Sequence, residues 1–204
     1  MTGRIFNPKW CNWDDPPRDP HETLSYSPSD QLTFLNRMAG AWRTVERTMV
    51  CVSIDGACSN NGYFDARAAS AVHFGPGSSY NWACKLDPNQ HPQTNQYAEL
   101  FAAVRAVRIC DRNRANGPSV WDDVQLIVVI TDSDYIFRGI TDHVYKWELN
   151  GYINSKGLPV IHERTFRLLN ATVEALEADG INVTFWKVPR EYNQDADSLA
   201  ANEL

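Results

Sequence analysis

The sequence predicts an α/β fold in which a mixed β-sheet carries helices on both faces. Three observations predict it. The apolar runs at 49–54 and 124–131 are almost unbroken, as strands buried on both faces are. Two shorter extended runs, 68–74 and 79–86, are separated by Gly75-Pro76-Gly77, which suggests an antiparallel meander. Beyond residue 92 helical and extended patterns alternate, and that alternation demands parallel crossovers.

In chain order, residues 1–27 carry Pro8, Pro16, Pro17 and Pro20 among Trp10, Trp13 and polar residues, with no periodicity, and read as an extended arm. Ser27-Pro28-Ser29-Asp30 has the form of a helix start, and Leu32, Leu35, Ala39 and Trp42 then fall on one helical face. Residues 1–47 are therefore expected to form an amino-terminal extension with one short helix, and residues 48–204 a single domain. The strand at 49–54 should end at Asp55-Gly56, as a central strand does before a turn. A helix over 93–109 sets Tyr97, Leu100, Phe101, Val104 and Val107 on its large-apolar side, with Glu99 beside small alanines. The strand at 124–131 ends in Asp132-Ser133. A helix over 160–178 stops at Asp179-Gly180, a last strand covers 181–188, and the chain turns helical again from Tyr192.

With 204 residues, 43% of them apolar, the chain can bury one full core. Its apolar runs are too short to span a bilayer or to form a leader, so an intracellular, non-secreted monomer without a membrane partner is expected. Five cysteines, odd in number and without a C-x-x-C pair, argue for reduced thiols over structural zinc or a disulfide framework. The formal charge of −6 gives no global basic footprint for nucleic acid.

Asp55 and Asp132 are each expected at the carboxyl end of a central strand, the edge of an open α/β sheet where ligands bind. Glu99 lies in the first turns of its helix on the side facing the sheet, and Asp197 lies inside the last helix. One Asp after a strand is more often a turn residue or helix cap than a ligand. Four converging carboxylates would repel one another and take up protons unless a cation is present, and all-oxygen ligands favour Mg²⁺ or Mn²⁺ over zinc.

Four stretches go further: Ile54-Asp55-Gly56-Ala57-Cys58-Ser59-Asn60-Asn61-Gly62, Thr94-Asn95-Gln96-Tyr97-Ala98-Glu99-Leu100, Ile130-Thr131-Asp132-Ser133 and Asn193-Gln194-Asp195-Ala196-Asp197-Ser198-Leu199-Ala200. In this order they resemble the four motifs of type-1 ribonuclease H, and the resemblance covers residues 48–204. It implies a ribonuclease H-like fold, with a five-stranded mixed sheet whose first three strands are antiparallel. It implies an endonuclease that hydrolyses the RNA strand of RNA/DNA hybrids with two Mg²⁺ ions, or Mn²⁺ in their place. By match to the motifs, Asp55 would bridge both ions, Glu99 and Asp132 would complete one site, and Asp197 would hold the ion on the nucleophile side; Asp195 is not the matching position. Cys58, Asn61, Asn95 and Gln96 match positions that read the minor groove of the hybrid, and Thr94 matches one that grips a DNA phosphate.

Departures from the family pattern accompany the match. Val188-Pro189-Arg190-Glu191-Tyr192-Asn193 has no histidine where many type-1 enzymes carry a Gly-His-x-Gly loop. His143 and His162 stand where tryptophan and asparagine are expected along the DNA channel, which implies a weaker grip on the hybrid. The alternative is a catalytically weak or inactive ribonuclease H-like module that binds nucleic acid, and a third reading is a relative of the same fold that cuts DNA.

Overall fold

The structure is a computed structural model that describes residues 3–11 and 19–204; Trp13, Pro16 and Pro17, read above as part of an extended arm, lie outside these residues. Among the described residues one mixed sheet contains seven strands: β1 (Leu24–Ser27), β2 (Leu32–Ala39), β3 (Trp42–Ser59), β4 (Arg67–His73), β5 (Trp82–Lys85), β6 (Leu126–Thr131) and β7 (Asn182–Lys187). β3 is its axis. Along one edge it pairs antiparallel with β4 through Ser53–Ser59 and, where β4 ends, with β2 through residues 42–51. Along the other edge it pairs parallel with β6, which pairs parallel with β7. The meander and the two crossovers are as the sequence predicts, and five of the strands are the expected ones.

The helix expected after Ser27 is instead the hairpin β1–β2. Leu32 and Phe34 enter the core on one face of the sheet while Leu35 enters on the other, so β2 is buried on both sides where it begins. Two-sided burial abolishes strand alternation, and the leftover apolar spacing imitates a helix. Ser27-Pro28-Ser29-Asp30 makes the hairpin turn rather than a cap. The Ser27 hydroxyl donates to Asp30 Oδ2 at 2.6 Å, the Gln31 amide donates to the Ser27 carbonyl at 2.7 Å, and Asp30 pairs with Arg47. Trp42, expected on the buried face, is exposed at the start of β3.

Among the described residues five α-helices complete the fold: α1 (Asn95–Asn116), α2 (Asp134–Arg138), α3 (Val144–Asn150), α4 (Glu163–Ala178) and α5 (Gln194–Ala201). A π turn (Gly139–His143) links α2 to α3. Strand alternation divides the core: Val50, Val52, Ile54, Ile127 and Val129 face α1 and α4, whereas Cys51, Leu126, Val128 and Ile130 face away. Leu35 of β2 adds to that second face, and Phe6 and Cys11 from the chain before the first strand pack against it. α1 and α5 both lie against β3 and β4, so they occupy opposite faces. Residues 4–6 also cover the outer edge of β7. The Phe6 amide donates to the Phe185 carbonyl at 2.9 Å and the Phe185 amide to the Arg4 carbonyl at 2.7 Å. Among the described residues no helix is long and apolar enough to cross a membrane.

Candidate active site

Asp55 is not at a strand end. β3 runs on to Ser59, because Asp55 through Ser59 pair with Ala71 through Arg67 of β4. The parallel register with β6 nevertheless stops at Ser53 opposite Ile130, and two steps further Asp55 stands level with Asp132, just past the end of β6. The two carboxylates therefore meet where the parallel pair comes apart. Gly56 does not turn the chain either. A Cβ there would come within 2.7 Å of Ala98 Cβ and 2.6 Å of the Ala98 carbonyl carbon, and would collide with the Glu99 amide. Its bare backbone lets the first turn of α1 press on β3, which carries Glu99 to Asp55.

Each carboxylate has its own protein partner. Asp55 is 5% exposed and accepts from the Gly56 amide at 2.7 Å. Glu99 accepts from Ser133 Oγ at 2.6 Å and from Asn95 Nδ2 at 2.7 Å. Ser133 also caps α2 by accepting from the Ile136 amide, so the helix start that follows Asp132 and the orientation of Glu99 are coupled. Asp132 accepts from Asn193 Nδ2 at 2.9 Å, and the same amide group donates to the Ile54 carbonyl at 3.0 Å. The buried Asn193 thus ties the loop before α5 to β3 and to the end of β6. Asp197 sits in the first turn of α5, which starts at Gln194 rather than Tyr192, and pairs with Arg190 at 2.8 Å.

Burial, then the nearby Asp132, pushes Asp55 up to about 8, with Glu99 and Asp197 adding to the effect. Burial likewise raises Glu99 to about 7, against the opposing hydrogen bond from Ser133. The other three carboxylates are therefore within electrostatic reach of Asp55. The donor set is all oxygen and anionic, which suits a hard divalent cation. It is not a ready-made cage: among the described residues no three ligating groups are drawn together closely enough to hold a metal ion. Arg190 supplies positive charge instead, as ion partner of Asp197 and as a cation felt by Glu99.

The other predicted site residues lie on β3, in the turn after it and at the start of α1, the elements that carry Asp55 and Glu99. Cys58 is half-buried on β3 and donates to the Gln93 carbonyl at 3.5 Å. Asn61, in the turn after β3, accepts from the Asn95 amide at 3.4 Å. Thr94 caps α1 by accepting from the Tyr97 amide at 3.2 Å, and Gln96 is exposed one turn short of Glu99. Asn95 is turned inward onto Glu99 rather than outward. His143 packs at a tilt against Trp147, with ring centroids 5.5 Å apart, and His162 meets the Tyr135 hydroxyl at 3.2 Å. Sequence reasoning gave no site role to Asn193, Ser133 or Arg190, and gave Gly56 only that of a turn residue. Asn193, Ser133 and Gly56 stand inside the matched motifs; Arg190 stands in the loop that lacks the family's histidine.

The family profile described as RNase H matches residues 47–204. Similar curated relatives include Ribonuclease H1 of Mus musculus, 32% identical over 155 residues, and Ribonuclease H1 of Homo sapiens, 33% identical over 155 residues; each alignment covers 74% of this chain and 48% of the relative. The chain spans about half the length of these relatives. Ribonuclease H of Dechloromonas aromatica (strain RCB) is 30% identical over 157 residues, covering 77% of this chain and 93% of the relative. Among solved structures, the foamy viral protease-reverse transcriptase in complex with RNA/DNA hybrid superposes with a TM-score of 0.57 at 19% identity, over 81% of this chain and 21% of that one. LC9-RNase H1 gives a TM-score of 0.52 at 22% identity, over 78% and 73% of the two chains. These two likenesses bear on the fold alone.

Proposed function

The chain belongs to the ribonuclease H family, and from that premise we propose that it hydrolyses the RNA strand of RNA/DNA hybrids at a centre where Asp55, Glu99, Asp132 and Asp197 hold two divalent cations, Mg²⁺ or Mn²⁺. The observation that carries the reading is the convergence of four carboxylates from β3, α1, the end of β6 and α5, at which burial and like charge raise Asp55 to about 8. A site where burial and neighbouring carboxylates raise Asp55 and Glu99 in this way is one that an added positive charge stabilises.

When bound, such ions lower the pKa of a water nucleophile and stabilise the charge on the leaving oxygen. The protein's part is positioning. Gly56 sets Glu99 against Asp55, Asn193 fixes Asp132, and Ser133 with Asn95 fixes the carboxyl plane of Glu99. Cys58, Asn61, Thr94 and Gln96 form the rim that faces the minor groove and the DNA strand of the hybrid, with Asn95 joining them on release from Glu99. One structure of similar fold, the foamy viral protease-reverse transcriptase, was solved with an RNA/DNA hybrid.

A second reading, a weak or inactive module that binds nucleic acid, draws on the ion pair between Arg190 and Asp197, which occupies a ligand the metal needs. Cleavage of a labelled RNA strand presented as hybrid, as duplex RNA and single-stranded, beside duplex DNA, separates the readings. Hybrid cleavage far above the other three is expected. Binding of hybrid without turnover in any divalent metal would establish the second reading, and comparable cutting of duplex DNA would overturn both.

A further inference from the structure

The second half of α1 and the edge strand β5 enclose an open cleft of about 440 Å³. Arg105 and Arg112 project into it from α1. They are two helical turns apart on one side of the helix, and Arg105 lies about 120° around the axis from Glu99. The cleft is thus separate from the carboxylate centre. Trp82, Tyr80 and Ile109 supply apolar walls, and no carboxylate is among the residues that line it, in a chain whose formal charge is −6.

Arg105 is held in place without being neutralised. Its guanidinium carbon sits 4.6 Å from the centroid of the Trp82 ring, a cation–π contact that fixes the side chain. Its Nε is buried and meets no acceptor among the described residues. An enclosed donor left without an acceptor is costly, and that cost is relieved if the half-buried side chain turns Nε toward an anionic acceptor entering the cleft. Among the described residues neither Arg105 nor Arg112 has an ion-pair partner. Two guanidinium groups lining one open cleft match the several acceptor oxygens of a phosphate better than the single plane of a carboxylate.

We propose that this cleft is a phosphate-binding site in which Arg105 and Arg112 grip one phosphate group, carried by a nucleic-acid strand or free in solution. The test uses the full-length wild-type chain in EDTA, so that no turnover intervenes, and follows the arginine Nε–H signals by NMR. Inorganic phosphate and a ten-nucleotide single-stranded DNA are titrated separately. A saturable shift of the Arg105 signal is expected, with affinity about tenfold weaker in Arg112→Gln, as for loss of one hydrogen bond to a charged group. Saturation by the oligonucleotide at lower phosphate concentration identifies the strand as the ligand; equal affinity identifies free phosphate. No saturable shift at Arg105, or unchanged affinity in a folded Arg112→Gln, overturns the proposal. Because the readout is binding, its outcome is independent of whether hybrids are cleaved.

Discussion

Asp55 bears the largest electrostatic strain in the centre. Its folded pKa of about 8 lies above its ordinary 3.8, so between those values the folded chain keeps a proton that the unfolded chain releases. This contribution to stability is fully present below about pH 4 and is lost as pH rises toward 8. Glu99 acts in the same direction, up to about 7. In EDTA at pH 8, Asp55→Asn should therefore melt at a higher temperature than wild type, with the gap closing toward pH 4. Mg²⁺ should raise the melting temperature of wild type and leave the variant nearly unchanged. A variant no more stable than wild type at pH 8 would count against the buried-carboxylate account. The four acids were legible in the sequence because each lies in a motif with its own spacing. Arg190 was not, since an arginine in a polar loop has no local signature, and its role arises only when α5 swings Asp197 beside it.

The elements read from sequence were those with one buried side or a long apolar run, namely β3 through β7 with α1, α4 and α5. β2 was misread as a helix because Leu32, Phe34 and Leu35 are buried on two faces and a bulge falls between Phe34 and Leu35, so no period of two survives. Asp55-Gly56 looked like a strand end for a related reason. Glycine after aspartate is a common turn pair, and only the packing of α1 shows that this glycine serves a close approach between elements. Gly56→Ala tests that approach. Forcing a methyl group against the backbone of Ala98 and Glu99 should cost about 1–3 kcal/mol in denaturant melts, typical of overpacking. Activity should fall further than stability does, because Glu99 moves away from Asp55. Full activity in the alanine variant would mean that the contact does not set the site.

At the scale of the molecule, the sheet takes in strands from both sides of residue 48. Phe34, Leu32 and Leu35 lie in its core, and residues 4–6 cover the edge of β7. A chain beginning at residue 48 would bare those surfaces. Three fully buried large side chains correspond to roughly 5–9 kcal/mol of apolar burial as an upper bound. Thermal melting of residues 48–204 alone should accordingly fall by more than about 10 °C relative to the full chain. An unshifted melt would show that the first 47 residues dock without stabilising the sheet. The central claim, that the carboxylate centre formed by β3, α1, β6 and α5 is a metal-dependent nuclease site, is tested most directly by cleavage of an RNA/DNA hybrid labelled on the RNA strand. Wild type should cleave with Mg²⁺ and stop in EDTA, and Asp132→Asn, verified as folded, should lose at least about a hundredfold in rate, more than is usual for loss of a residue that only supports a ligand. Cleavage that persists in EDTA, or wild-type rates in Asp132→Asn, would contradict it.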